Sequence, residues 1–197
     1  MGSARLLALL ALALCTFCTL GCGPRPPERN PAPALMSPVV VSVLLERDHA
    51  FADVARLAAR RLNESRGPAE RPVRIEIDPT SPSGRVAVPV TRDAPAHART
   101  LVLVPRRGPL PDAHRADPAL EGSLGSDDLR AAHALSVYDA VLVAGLASRA
   151  LPDATPDGLL TWLRGQPGWE LSLGPVDYRS SLNPALGPQA IVREPSR

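Results

Sequence analysis

The sequence predicts an α/β domain built on an open, largely parallel sheet flanked by helices. Three neighbouring segments carry that expectation. Val39-Val40-Val41-Ser42-Val43-Leu44-Leu45 is a near-continuous β-branched run, the pattern of a strand buried on both faces of a parallel sheet. The period then changes: Phe51, Val54, Ala55, Ala58, Ala59 and Leu62 fall on one face of a helix, with Arg56, Arg60, Arg61 and Glu64 off that stripe. Val73, Ile75 and Ile77 next alternate with Arg74 and Glu76, as a second strand requires. Strand, helix and strand in this order make a βαβ unit with a right-handed crossover.

The boundaries follow from capping and turn chemistry. Asp48 is placed to cap the first helix, Gly67-Pro68 stops it, and the second strand ends at Asp78-Pro79. Val86–Val90 and Thr100–Val104 are shorter strands. Pro89 has no N–H to give to a ladder, so the first of these is expected at a sheet edge. Ser126 then caps a long helix reaching Ala150, with Leu129, Leu135, Tyr138, Leu142 and Leu146 on or near its buried stripe. Asp127 and Asp128 in its first turn and Arg149 in its last suit the helix macrodipole. Thr155-Pro156-Asp157 opens a further helix carrying Leu159, Leu160, Trp162 and Leu163, closed by Gly165. Short strands around Trp169–Leu173, Val176–Tyr178 and Ala190–Val192 finish the chain, and no segment repeats.

The first 37 residues are of another kind. Arg5, the apolar run Leu6–Leu14 and the small Gly21 before Cys22 have the parts of a signal peptide over residues 1–21. Thr19-Leu20-Gly21-Cys22 resembles a bacterial lipobox, which implies that Cys22 is acylated and becomes the mature N-terminus. An ordinary secretory signal or an anchor helix accounts for the same run, although the run is shorter than the ~20 residues of a spanning helix. Residues 22–37 read as a Pro-rich tether; an extended stretch of this kind at ~3.1 Å per residue reaches roughly 45 Å. Gly23, rather than Asp, follows the cysteine, which resembles the pattern of outer-membrane lipoproteins. The expected location is therefore the bacterial cell envelope, lipid-anchored and facing the periplasm, with the membrane itself as one partner and residues 38–197 as the folded domain.

Composition narrows the classes of function. Cys15, Cys18 and Cys22 all precede the domain, which leaves it no disulfide and no thiolate metal site. All 22 basic residues are Arg, the net charge is +2 and aromatic residues make up 3% of the chain. No basic run exceeds the pairs Arg60-Arg61 and Arg106-Arg107, so nucleic-acid binding, which needs a basic face and often stacking aromatics, is set aside. No phosphate-binding or dinucleotide-binding glycine loop occurs, and no cofactor is expected. Asp112-Ala113-His114-Arg115-Ala116-Asp117 offers oxygen and nitrogen ligands, but a Pro-rich loop supplies no regular element to hold a metal. Ser123 lacks the Gly-x-Ser-x-Gly elbow of hydrolases, and His133 reads as a partly buried helix residue. Without a nucleophile, base and orienting group in any recognisable set, the chain is not expected to be an enzyme.

Four charged residues are the candidate ligand contacts. Glu46, Asp48 and His49 follow the first strand and Asp78 follows the second, at the carboxyl ends where open α/β sheets place ligands. A solvated helix start with Asp48 as its cap accounts for the first three equally. Trp162 and Trp169 are candidates for a protein-docking surface or for the core.

The two ends of the domain resemble type I periplasmic binding proteins of the Leu/Ile/Val-receptor family. At the start stand the apolar strand, the helix Phe51-Ala52-Asp53-Val54-Ala55-Arg56-Leu57-Ala58-Ala59-Arg60-Arg61-Leu62-Asn63, the loop from Gly67 to Pro72, and a strand ending in Asp78. Near the end stand Tyr138-Asp139-Ala140-Val141, the helix through Leu159–Leu163, and Trp169–Tyr178 followed by Asn183. The chain departs from the family in lacking most of the second lobe. Glu46-Arg47-Asp48-His49 replaces the usual Ser-Gly turn, and no Ser/Thr pair stands ready for an amino-acid carboxylate. The resemblance implies a solute-binding protein of an ABC-type uptake system taking a small polar ligand such as an amino acid. The alternative is an envelope lipoprotein that uses a receptor-like lobe to dock a protein partner.

Overall fold

The chain runs β1 (Val39–Leu44), α1 (Phe51–Glu64), β2 (Val73–Ile77), β3 (Val86–Pro89), β4 (Thr100–Val104), α2 (Asp128–Ala150), α3 (Pro156–Gly165), β5 (Trp169–Leu171), β6 (Gly174–Val176) and β7 (Gln189–Arg193). The computed structural model describes residues 36–46, 49–78, 85–91, 98–109, 120 and 128–195. Cys22 with its leader and tether, Arg47, Asp48, the 112–117 loop, Ser123, Ser126 and Asp127 lie outside the described residues. Five strands form one sheet in the order β2-β1-β3-β4-β7. The first four are parallel, and β7 closes the sheet antiparallel to β4. The α/β class and the mostly parallel sheet are thus present, with one antiparallel edge.

Period-2 alternation sorts the strands' side chains between the two faces. Val41 pairs with Ile75 and Val86, and Val86 pairs with Leu101. These rows, with Val43, Val88 and Leu103, join the main core beneath the helices. The opposite alternation places Leu44, Ala87 and Val102 in a smaller cluster on the reverse face.

Three expectations are corrected. β3 is an interior strand, not an edge. Pro89 is tolerated because it is the strand's last residue, opposite Leu44, where pairing with β4 has already ended at Ala87. The N-cap position of α1 falls on Ala50, not Asp48, and His49 Nδ1 accepts the Phe51 N–H at 3.2 Å. Leu129 is 61% exposed rather than part of a buried stripe. Beyond it α2 is buried on most sides, with Ala134, Leu135, Val137, Tyr138, Ala140 and Val141 all in the core, so it has no sharp apolar face. By length and hydropathy Leu129–Ala150 could cross a membrane, yet 83% of its apolar window is buried inside the domain; it is a core helix.

Three contacts lock α1, β2 and α2 together. Asn63 acts as a side-chain peptide, donating from Nδ2 to Val73 O at 2.9 Å and accepting the Val73 N–H at 2.8 Å. Arg149, beyond any service to its own helix dipole, donates to Leu62 O at 2.8 Å and to Glu70 at 3.0 Å. Gly145 leaves the backbone of α2 so close to Leu62 and Val73 that a Cβ would overlap Leu62 Cδ1. At the other end of the chain, Thr155 caps α3 by accepting the Gly158 N–H at 3.2 Å, with Pro156 in the first turn.

Candidate functional site

The carboxyl ends of β3 and β4 open onto a cleft of about 560 Å³, the location at which parallel strands hand over to the loops that shape a site. At the end of β3, Val90 and Thr91 both turn their N–H groups onto Leu44 O, at 3.1 and 3.3 Å. β4 departs through Pro105, Arg106 and Arg107. Helix α2 fixes that departure from two positions one turn apart. Ser136 Oγ accepts the Arg106 N–H, and His133 Nδ1 lies 3.2 Å from Arg106 O. A carbonyl can only accept, so Nδ1 carries the proton and donates.

The segment after β6 adds further lining residues. Buried Tyr178 donates its hydroxyl to Pro188 O at 2.8 Å, and the Ala190 N–H donates to Leu182 O at 2.8 Å. Gly187 is packed against Val176, where a Cβ would collide. These anchors bring Asn183 and Gln189 to the lining of the cleft, with Gln189 beside Val104 in the sheet.

The cleft's charge is one-sided. Arg106 is half-buried and Arg107 exposed, and Arg193 also lines the space, but no carboxylate does among the described residues. The guanidiniums of Arg106 and Arg107 donate to backbone carbonyls, Pro109 O at 3.1 Å and Val90 O at 3.3 Å. Several other arginines face acids: Arg56 pairs with Asp53, Arg99 with Asp157 and Glu194, Arg179 with Asp177, whereas Arg66 and Arg85 donate to the carbonyls of Glu70 and Ala154. His133 titrates below the usual imidazole range. Burial is the main cause, opposed by its bond to Arg106 and reinforced by the charges of Arg107 and His49.

Of the residues expected at the site, Glu46 is exposed and His49 half-buried after β1. Asp78 follows β2 with φ 52° and donates its N–H to Val43 O at 3.0 Å, a left-handed geometry that Asp tolerates better than most residues. None of these three lines the cleft. His49 reaches its border through a run of rings: His49 to Phe51 at 5.0 Å, and Phe51 to His133 at 5.1 Å. Nothing in the sequence marks Arg106, Arg107, Asn183 and Gln189 as ligand contacts beyond one available signal, two arginines directly after an apolar strand. Trp162 and Trp169 are half-buried and stack edge to face at 5.9 Å, packed on the core.

A second polar centre lies in the interior. Asp139, fully buried in α2, accepts from Ser172 Oγ at 2.7 Å, Ser172 N at 3.0 Å and Leu173 N at 3.4 Å. It thereby staples the two-residue turn between β5 and β6 to the core helix. Burial raises its pKa to about 6, against the lowering effect of these hydrogen bonds. Among the described residues, no group of three His, Cys, Asp or Glu side chains is arranged to hold a metal ion. No family model matches the chain, and comparison with curated proteins and with solved structures likewise returns no match.

Proposed function

We propose that the chain is a non-enzymatic, lipid-anchored binding lobe of the bacterial cell envelope that captures a small polar ligand, in the manner of a solute-binding protein serving an ABC-type uptake system. The observation that carries the reading is the cleft itself. Polar side chains from the segment after β4, from α2 and from the 183–189 segment converge at the carboxyl ends of parallel strands, on a support hydrogen-bonded to the core helix. A concave space with a few convergent polar groups is the usual form of a small-molecule site. The residues that line it offer donors and charge rather than a paired nucleophile and base. The envelope location rests on the Thr19–Cys22 motif, and mass spectrometry of the mature N-terminus checks it: an acylated Cys22 is expected.

Thermal melting of the full chain against amino acids, small peptides, sugars, organic acids and polyamines tests the binding reading. A ligand at 100 times its Kd adds about 2.7 kcal/mol, which is a visible shift for a domain of this size. A saturable shift is the expected outcome. A melting transition that no compound moves would transfer the chain to the protein-docking alternative. That alternative has less support, because among the described residues the exposed large apolar ones, Met36 and Leu129, are too few for a docking patch.

A further inference from the structure

We propose that the cleft at the ends of β3 and β4 takes a small oxyanion, a carboxylate or phosphate group of a soluble compound, with the guanidiniums of Arg106 and Arg107 as its charge partners. The inference rests on the ligand-binding reading of the same cleft and names the chemistry of what enters it.

Charge balance is the first ground. Arg106 and Arg107 bring two fixed positive charges to one rim, and the described lining residues include no carboxylate to answer them. Elsewhere on the domain Arg56, Arg61, Arg74, Arg99, Arg149 and Arg179 each have an acidic partner within 3.1 Å. Arg106 and Arg107 are held instead by backbone carbonyls, contacts that orient a guanidinium without neutralising it. A planar guanidinium fork matches the oxygens of a carboxylate or phosphate.

Preorganisation is the second. The Arg106 peptide is gripped on both sides by α2, through Ser136 at its N–H and His133 at its carbonyl. Arg107 bridges back to the end of β3 at Val90 O. The two charged residues therefore stand on a fixed base, so little ordering remains to be done when a ligand arrives. Asn183 and Gln189, which also line the cleft, supply neutral amide groups for the rest of a polar ligand.

The positive field does not extend along the whole sheet edge. Glu46 and Asp78 stand after β1 and β2, outside the cleft. Among the described residues, the acids of this edge thus follow β1 and β2 while Arg106 and Arg107 follow β4, an arrangement that favours an anion at the cleft.

Isothermal titration of the full chain with inorganic phosphate, glycerol 3-phosphate, succinate and citrate tests the assignment, with glucose and spermidine as neutral and cationic controls. At least one anion is expected to bind, more weakly as salt is raised. Arg106→Gln and Arg107→Gln are each expected to lower that affinity about tenfold or more. Arg164→Gln, which removes the same charge from an exposed position in α3, is expected to leave it unchanged. Whether the phosphate or the carboxylate compounds respond decides which oxyanion the site prefers. An anion that binds equally well to both cleft variants overturns the assignment. Binding of glucose or spermidine alone overturns it while leaving the cleft a ligand site. Failure of every compound here and in the wider melting panel removes the binding reading itself.

Discussion

The His133 ring donates its Nδ1 proton to the carbonyl of Arg106, 3.2 Å away. The bond spans from the core helix to the residue that follows β4, and it makes a neutral, half-buried histidine into a strut of the cleft. His133→Phe keeps an aromatic ring against Phe51 and removes the donor. It is expected to cost about 1 kcal/mol of stability by urea denaturation, with an unchanged m-value. Anion affinity should also fall, but less than in Arg106→Gln, because the guanidinium remains and only its support is loosened.

Gly145 is where α2 comes closest to α1. Alanine is the better helix former by about 1 kcal/mol, yet a methyl here overlaps Leu62 Cδ1 and crowds Val73. Overpacking outweighs propensity, and Gly145→Ala is expected to destabilise the domain by about 1–3 kcal/mol. Leu62→Ala alone should cost about 2–5 kcal/mol. In the double variant the new methyl enters the space that Leu62 vacated, so its total cost should be well below the sum. Thermal and urea denaturation of the four proteins measures that coupling; simple additivity would mean that the two sites do not share this contact.

Legibility in the sequence follows how local each feature is. The β1–α1–β2 unit announces itself because periods of 2 and 3.6 are written into consecutive residues, and the Thr155-Pro156 start of α3 is equally local. Pro89 misleads because the rank of β3 in the sheet is decided by pairing with β1 and β4, not by its own residues. Leu129 misleads because a helix buried on most sides has no stripe by which to orient its first turn. The candidate site was half legible. That ligands gather at the carboxyl ends of parallel strands pointed to the edge on which the cleft opens, and to Glu46, His49 and Asp78 on it. The cleft lies at the ends of β3 and β4 instead, and its walls come from residues near 106, 133 and 183–189, segments that only the tertiary fold brings together.

Asn63 closes the loop between α1 and β2 by imitating a peptide group toward Val73. Asn63→Ala leaves the Val73 N–H and carbonyl without these partners, at an expected cost of about 1–3 kcal/mol. Asn63→Asp is the sharper test. The carboxylate keeps an acceptor for the Val73 N–H but faces the Val73 carbonyl with no donor, so at neutral pH it should be no better than alanine. Lowering the pH should then recover stability relative to the wild type as the acid gains a proton to donate. A stability equal to the wild type at pH 7 would show that the amide donor contributes nothing.

Asp139 gives the domain a pH dependence opposite to the common one. Its folded pKa of about 6 lies above the 3.8 of the unfolded chain, so between these values the native state binds more protons than the unfolded state. Stability from this group is therefore greatest below pH 3.8 and falls as pH rises through 6, by on the order of 3 kcal/mol in all. His133 works in the other direction. Its lowered pKa means that stability is lost as pH falls below the ordinary imidazole range. The quantity to measure is therefore the difference in unfolding free energy between the wild type and Asp139→Asn at a series of pH values from 4 to 8. His133 cancels from that difference. The wild type should lose ground to the variant as pH rises from 4 to 7. The variant keeps one acceptor for the Ser172 and Leu173 donors but adds an amide N–H that faces them, so its absolute stability should be lower at acidic pH. A difference that stays flat across this range would mean that the native and unfolded states share one Asp139 pKa, and that the buried carboxylate is fully stabilised by the turn it holds.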